Sequence, residues 1–397
     1  MSQMSSMLND TCRNAMYISA ITKCIAHFTN STGIQPTVLD VGSGTGLLSM
    51  SAAKNGAKNI IGCEMFQAMA AVSEDVIEAN QLQDKIAIFP DKSSNMCEEH
   101  LEAIHQVVNG DTDSNEDSGG YRPHLLISEI LDSALLGESC IISHTDAIER
   151  LIQPDDVSDP SDTVTVTSIP IPPLRERIIP HDAQIYAHLV DCATVSSMVG
   201  VGSINLDGAT PWKFPGSEKC RGGWPLLPVH WDIYEDNHGG KCISSPIAPM
   251  STEDSGSGSC GVSTPTEILT VDFYSGYVQE GESECPSRSS SSTVYATEDG
   301  IVNGVLLWWK VRLLAPEIDP DATCVLHTAP RAVVEQVNRG EAQVEGLSKL
   351  PELNWQDHWL QVVHPLPEPI PVTAGQRLQI NAAHDSIHIW LDVTSVD

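Results

Sequence analysis

At 397 residues with 41% hydrophobic content, the chain is long enough for two globular domains with buried cores. No apolar run reaches the roughly 18 residues of a membrane-spanning helix, and the start MSQMSSMLND lacks a basic region followed by an apolar one, so neither membrane insertion nor secretion is expected. The 11 cysteines are odd in number and contain no C-x-x-C pair, which argues against a disulfide framework or a zinc site and fits the reducing cytosol or nucleus.

A formal charge of -32 repels a phosphate backbone, so no direct nucleic-acid binding is expected, and it attracts cationic polypeptides at low salt. The same charge also serves solubility, since part of it lies in loop-like segments such as NGDTDSNEDSGG and PDDVSDPSD.

From Pro36 to about Ile130, short apolar runs alternate with helical stretches, the trace of a parallel sheet with crossover helices. TVLDVG reads as a first strand, LLSMSAAKNG as a helix ended by Gly56, NIIGCE as a second strand and MAAVSEDVIEAN as a helix. KIAIFP and HLLISEIL supply the third and fourth strands. Beyond Ile152, Pro, Ser and Asp dominate, and strand-like pieces follow: AQIYAHLV, ILTVDFY, GVLLWWKVRLL and LQIN. Residues 109 to 121, 153 to 174, 251 to 265 and 281 to 293 read as inserted loops too poor in apolar side chains to offset their ordering entropy. The expected order is an α/β domain over residues 36–152, a linker over 153–180 and a β domain over 181–397.

VLDVGSGTGLLS places Gly42, Gly44 and Gly46 after an apolar strand and before a helix, where the backbone can turn sharply and approach a ligand. A dinucleotide fingerprint needs its third glycine at position 47, which is Leu47. The G-x-G-x-G spacing resembles that of S-adenosylmethionine (SAM)-dependent methyltransferases. Glu64 ends the second strand, where an acid accepts from both hydroxyls of an adenosine ribose, and Asp40 lies near the carboxyl end of the first.

In SEILDSALLGES, Glu129 follows the fourth strand and Glu138 comes nine residues later. Two glutamates at that spacing are ordinarily surface acids. This pair differs in following a strand whose carboxyl end faces the ligand crevice and in flanking an apolar loop. Two carboxylates beside a methyl sulfonium suit a guanidinium, which is planar, forked and always charged. On residues alone the acceptor stays open among arginine, another side chain and a small molecule, and a non-catalytic scaffold stays open too.

SEILDSALLGE resembles the double-glutamate loop of protein arginine N-methyltransferases, MLNDTCRN the segment before their sheet, and NWQDHWLQ their His-Trp loop. The resemblance implies a Rossmann-like SAM-binding domain followed by a β-barrel-like domain, with the site between them and a helical arm, here shortened, over residues 1–35. It implies that Arg13 pairs with the SAM carboxylate, that His358 and Trp359 border the substrate arginine pocket, and that Glu129 and Glu138 clamp the guanidinium. Family members work as homodimers or as two modules in one chain. The branch closest in wording stops at monomethylarginine and prefers basic, arginine-rich substrates such as histones. The chain departs from the family in having only MSQMSS ahead of Met7, where arm tyrosines are usual, and in Asp357, where many members have Thr.

Overall fold

The computed structural model describes residues 2–109, 122–155, 171–197, 226–246, 265–274, 288–342, 344, 350 and 358–396. It opens with helix α1 (Ser2–Asn9), which holds the MSQMSS stretch beyond Met1, and the long helix α2 (Thr11–Thr32). Asp10 caps α2 by accepting from the Arg13 backbone N–H at 2.8 Å, and Gly33 ends it in the left-handed region. Tyr17, Ala20, Ile21, Cys24, Ile25 and Phe28 recur at helical spacing and form its buried face.

The chain then alternates β1 (Thr37–Val41), α3 (Leu47–Lys54), β2 (Asn59–Cys63), α4 (Gln67–Ala79), β3 (Ile86–Phe89), α5 (Glu98–Asn109), β4 (Leu125–Ser128), α6 (Cys140–Arg150) and β5 (Ile178–Ile179). The strands pair in parallel in the order β3-β2-β1-β4-β5. Val38, Leu39, Ile60, Leu126 and Ile127 are buried because helices cover both faces of such a sheet. The order reverses between β1 and β4, so the ligand crevice of this Rossmann-like unit opens at their carboxyl ends, where the glycine loop and Glu129 begin.

Part of the range expected to be linker belongs to this sheet. Ile178 and Ile179 pair with Leu126 and Ile127, in a run too short to show any periodicity. Arg177, fully buried, fixes the approach: its Nε donates to Pro172 O at 2.8 Å, one guanidinium nitrogen donates to His124 O and Gln153 O at 2.8 and 2.9 Å, and the other reaches Asp155 at 2.8 Å.

The remainder is antiparallel. It runs β6 (Asp182–Asp191), α7 (Ala193–Ser197), β7 (Leu227–Val229), α8 (Trp231–His238), β8 (Lys241–Cys242), β9 (Ser244–Ser245), β10 (Thr266–Asp272), β11 (Arg288–Ala296), β12 (Gly300–Arg312), β13 (Val325–His327), α9 (Arg331–Asn338), β14 (Gln361–Val372), β15 (Arg377–His384) and β16 (Ile389–Ser395). One sheet follows β10-β6-β12-β14-β7 and the other β16-β15-β11-β9. Side chains join their edges: Ser290 and Ser292 of β11 donate to the β10 carbonyls of Ile268 and Glu267, and the Leu189 N–H of β6 donates to Ser244 Oγ of β9 at 2.9 Å. The two sheets share a core that includes Ile268, Val294, Val305 and Ile380, giving the β-barrel-like unit.

The expected loop over 281–293 is corrected from Arg288 onward. Residues 288–293 belong to β11 and pair with His384 through Gln379. A serine run has little strand propensity of its own, and here its backbone is held by β15 on one side and its hydroxyls by β10 on the other. Most of the other three expected loops, and all of residues 281–287, lie outside the described residues.

Replacing Arg177 with Leu leaves three backbone carbonyls without their donor, a loss of about 3 kcal/mol or more. Urea unfolding of the variant is expected to show a lower midpoint with an unchanged slope.

Candidate active site

The glycine loop follows β1 directly. Gly42 takes φ +76°, and a Cβ there would stand 2.4 Å from Ile130 Cγ2, the residue after Glu129. Only glycine lets the β1 and β4 ends approach this closely. Gly44 N–H donates to Glu64 Oε2 at 3.0 Å and Phe66 N–H to Glu64 Oε1 at 2.8 Å, so the acid at the end of β2 orders the loop after β1. Gly46 leads into α3, whose N-terminus faces the same crevice. Asp40 lies deeper than the sequence suggests: it is fully buried within β1 and accepts from Ser49 Oγ at 2.6 Å. Burial raises its carboxyl to about 7.

At the end of β4, Glu129 is buried and paired with the Arg13 guanidinium. Burial outweighs that pairing and moves Glu129 up to about 7, and the charge of Glu138 adds to the rise. Arg13 also donates to Asn14 Oδ1 at 2.8 Å and packs against the rings of Tyr17 and Trp359, at 5.6 and 5.7 Å. Arg13 Nε, Asp40 Oδ1, Ser43 Oγ and Glu129 Oε1 are buried with no hydrogen-bond partner among the described residues. Glu138, by contrast, is exposed, and its carboxyl is raised first by partial withdrawal from water and then by Asp132.

The loop between the two glutamates is fixed from several sides. Leu135 and Leu136 are buried beneath it. Asp132 Oδ1 accepts from Gly137 N–H at 3.1 Å, and a Cβ on Gly137 would stand 2.1 Å from Asp132 Oδ2. The β-barrel-like unit supplies the rest: Trp359 Nε1 donates to Leu131 O at 2.9 Å, Trp309 Nε1 to Asp132 O at 3.1 Å, and Leu360 N–H to Ser133 Oγ at 3.0 Å. The two indoles meet edge to face at 5.0 Å. His358 stands 3.5 Å from Asp10, the cap of α2, and Asp357 lies outside the described residues.

Arg13, Glu129, His358 and Trp359 therefore form one cluster beside the glycine loop, with Glu138 at its solvent edge. Trp309, Tyr17, Asp10 and Asp132 escaped the sequence reading. The signal for Asp132 was the Asp-x4-Gly spacing in an otherwise apolar loop, and for Trp309 the adjacent Trp308. A strand sends consecutive side chains to opposite faces, so each tryptophan needs a separate partner.

Asp40 makes stability depend on pH. Its folded value of about 7 lies above the ordinary 3.8, so the folded chain takes up a proton before the unfolded chain does. Stability from this group is present below the unfolded value and is lost as pH rises through 7. Between about pH 8 and 5 the melting temperature of the chain alone is expected to rise, and Asp40→Asn to flatten that rise; an unchanged profile in the variant would refute this.

The model for the ribosomal protein L11 methyltransferase (PrmA) family matches residues 20–108. Protein arginine N-methyltransferase 7 of Anopheles gambiae is 26% identical over 402 residues, covering 99% of this chain and 49% of that protein. Its Drosophila melanogaster namesake is 27% identical over 390 residues, covering 97% and 47%. The chain thus spans about half the length of these relatives. Among solved structures, the Trypanosoma brucei PRMT1 enzyme-prozyme heterotetrameric complex with AdoHcy matches with a TM-score of 0.58 at 17% identity, covering 99% of this chain and 93% of that one. Arabidopsis thaliana protein arginine methyltransferase 10 matches with a TM-score of 0.54 at 16% identity, covering 99% and 97%. Likeness at those identities is a likeness of fold. In sequence and in fold, this chain resembles the protein arginine N-methyltransferases over nearly its whole length.

Proposed function

We propose that this chain is a SAM-dependent protein-arginine N-methyltransferase unit acting on basic protein substrates. The observation that carries the reading is the convergence of a guanidinium-binding carboxylate, Glu129, with the glycine loop on one side and the His358–Trp359 pair on the other. Glu129 already holds a guanidinium, that of Arg13, against an aromatic face, which is the chemistry a substrate arginine would use.

The residues present fit the cofactor. Arg13 Nε is a buried donor without a partner and suits a carboxylate, while Asp40 Oδ1 and Glu129 Oε1 are buried acceptors without partners and suit an ammonium or hydroxyls. Glu64 keeps one lone-pair site on each oxygen for ribose hydroxyls while holding Gly44 and Phe66. When bound, SAM supplies a methyl group on a sulfonium that is itself a good leaving group. The chain's residues then act by position and electrostatics. Glu129 and Glu138 grip the guanidinium, concentrate lone-pair density on one nitrogen and hold it in line. The product proton passes to water or to the glutamate pair, which titrates as a unit.

The finer parts of the proposal are monomethylation, histone-like arginine-rich substrates, and a second unit as partner, either a second copy or a further part of a longer chain. The charge of -32 supports a basic substrate through steering. The eight cysteines among the described residues are free, which supports a cytosolic or nuclear setting.

Methyl transfer from labelled SAM is expected to an arginine-rich peptide and not to its lysine counterpart. Glu129→Gln and Glu138→Gln should each lower turnover by about a hundredfold or more. Equal transfer to the lysine peptide, or unchanged turnover in both variants, would refute the clamp. Mass spectrometry is expected to show monomethylarginine, and dimethylarginine as the main product would overturn that part.

A further inference from the structure

Tyr17 lies one helical turn beyond Arg13 on α2, with its ring 5.6 Å from the Arg13 guanidinium carbon. It is wholly buried, and its hydroxyl finds no hydrogen-bond partner among the described residues. Burial, then the charge of Glu129, hold the phenol well above its ordinary range, with Asp40 also contributing, so it remains a protonated donor at physiological pH. Glu129 Oε1 and Asp40 Oδ1 are acceptors in the same state, buried and unpaired. A donor and two acceptors are thus left over where buried polar groups normally find partners. A phenylalanine would pack the same ring without the unpaired hydroxyl.

The Arg13 guanidinium is shared. It holds Glu129 and Asn14, while its Nε stays unpaired. A carboxylate ligand that draws the guanidinium toward itself leaves Glu129 buried and short of its partner, which is costly unless another donor replaces it. We propose that Tyr17 is a positioning residue whose hydroxyl donates to Glu129 once Arg13 turns to the cofactor carboxylate, keeping the acid aimed at the incoming guanidinium. The inference rests on the cofactor reading given above and adds the group that takes over Glu129.

The test is Tyr17→Phe in the 397-residue chain, read by calorimetric titration with AdoHcy and by the melting temperature of the free chain. An unpaired hydroxyl contributes nothing to the free fold, so the variant should melt no lower than wild type. Its AdoHcy affinity should fall about tenfold or more, the loss expected for one hydrogen bond to a charged group. Unchanged affinity overturns the proposal. A lower melting temperature, with or without weaker binding, assigns Tyr17 to packing and overturns it as well. If wild type does not bind AdoHcy, the cofactor reading itself fails, and the titration shows this before the variant is compared.

Discussion

A carboxylate carried to the end of a buried strand must be paired or lose its charge, and Glu129 meets that constraint through Arg13. The pairing ties the first turn of α2 to the end of β4 across 116 positions of sequence. It also sets what the cluster can accept. Burial raises the Glu129 carboxyl even beside a guanidinium, and a second cation near it would favour the charged carboxylate. An always-charged guanidinium does so more dependably than an amine able to give up its proton.

Neither unit builds the cluster alone. The parallel sheet supplies the glycine loop and the acids, while the antiparallel unit supplies Trp309, Trp359 and the Leu360 N–H that hold the loop between Glu129 and Glu138. All three contacts use backbone atoms or Ser133 of that loop, and none of them engages either carboxylate. The loop is thereby held by its main chain, the arrangement expected where side chains must remain available to a ligand.

Much of this was legible in the residues. The glycine spacing, the acid ending the second strand and the two glutamates flanking an apolar loop all lie within short stretches whose local chemistry differs from their surroundings. Ile178–Ile179 was hidden because a two-residue strand has no periodicity, and the start of β11 because serines become a strand only through the neighbours that hold them. Nothing in their local sequence marks Asp10 or Tyr17 as part of the site. The approach of Asp10 to His358, and the convergence of the Tyr17–Arg13 pair with Glu129 through the Arg13 guanidinium, are products of tertiary folding, which no local pattern encodes. The family resemblance implies a cofactor carboxylate for Arg13, and the fold gives it one belonging to the chain itself.

Trp308 and Trp309 have a consequence for how this chain can change. Trp308 stacks on Tyr186 at 4.3 Å in a small cluster with Val333 and Val337, while Trp309 reaches the glutamate loop. Because successive strand residues face opposite ways, a one-residue slip of β12 against β6, on which Trp308 and Trp309 pair with Tyr186 and Ile185, would exchange the two indoles and turn the loop's anchor away from it. The irregularity that β12 does carry, between Val302 and Gly304, lies ahead of its pairing to β6 and so leaves the facing of both indoles intact.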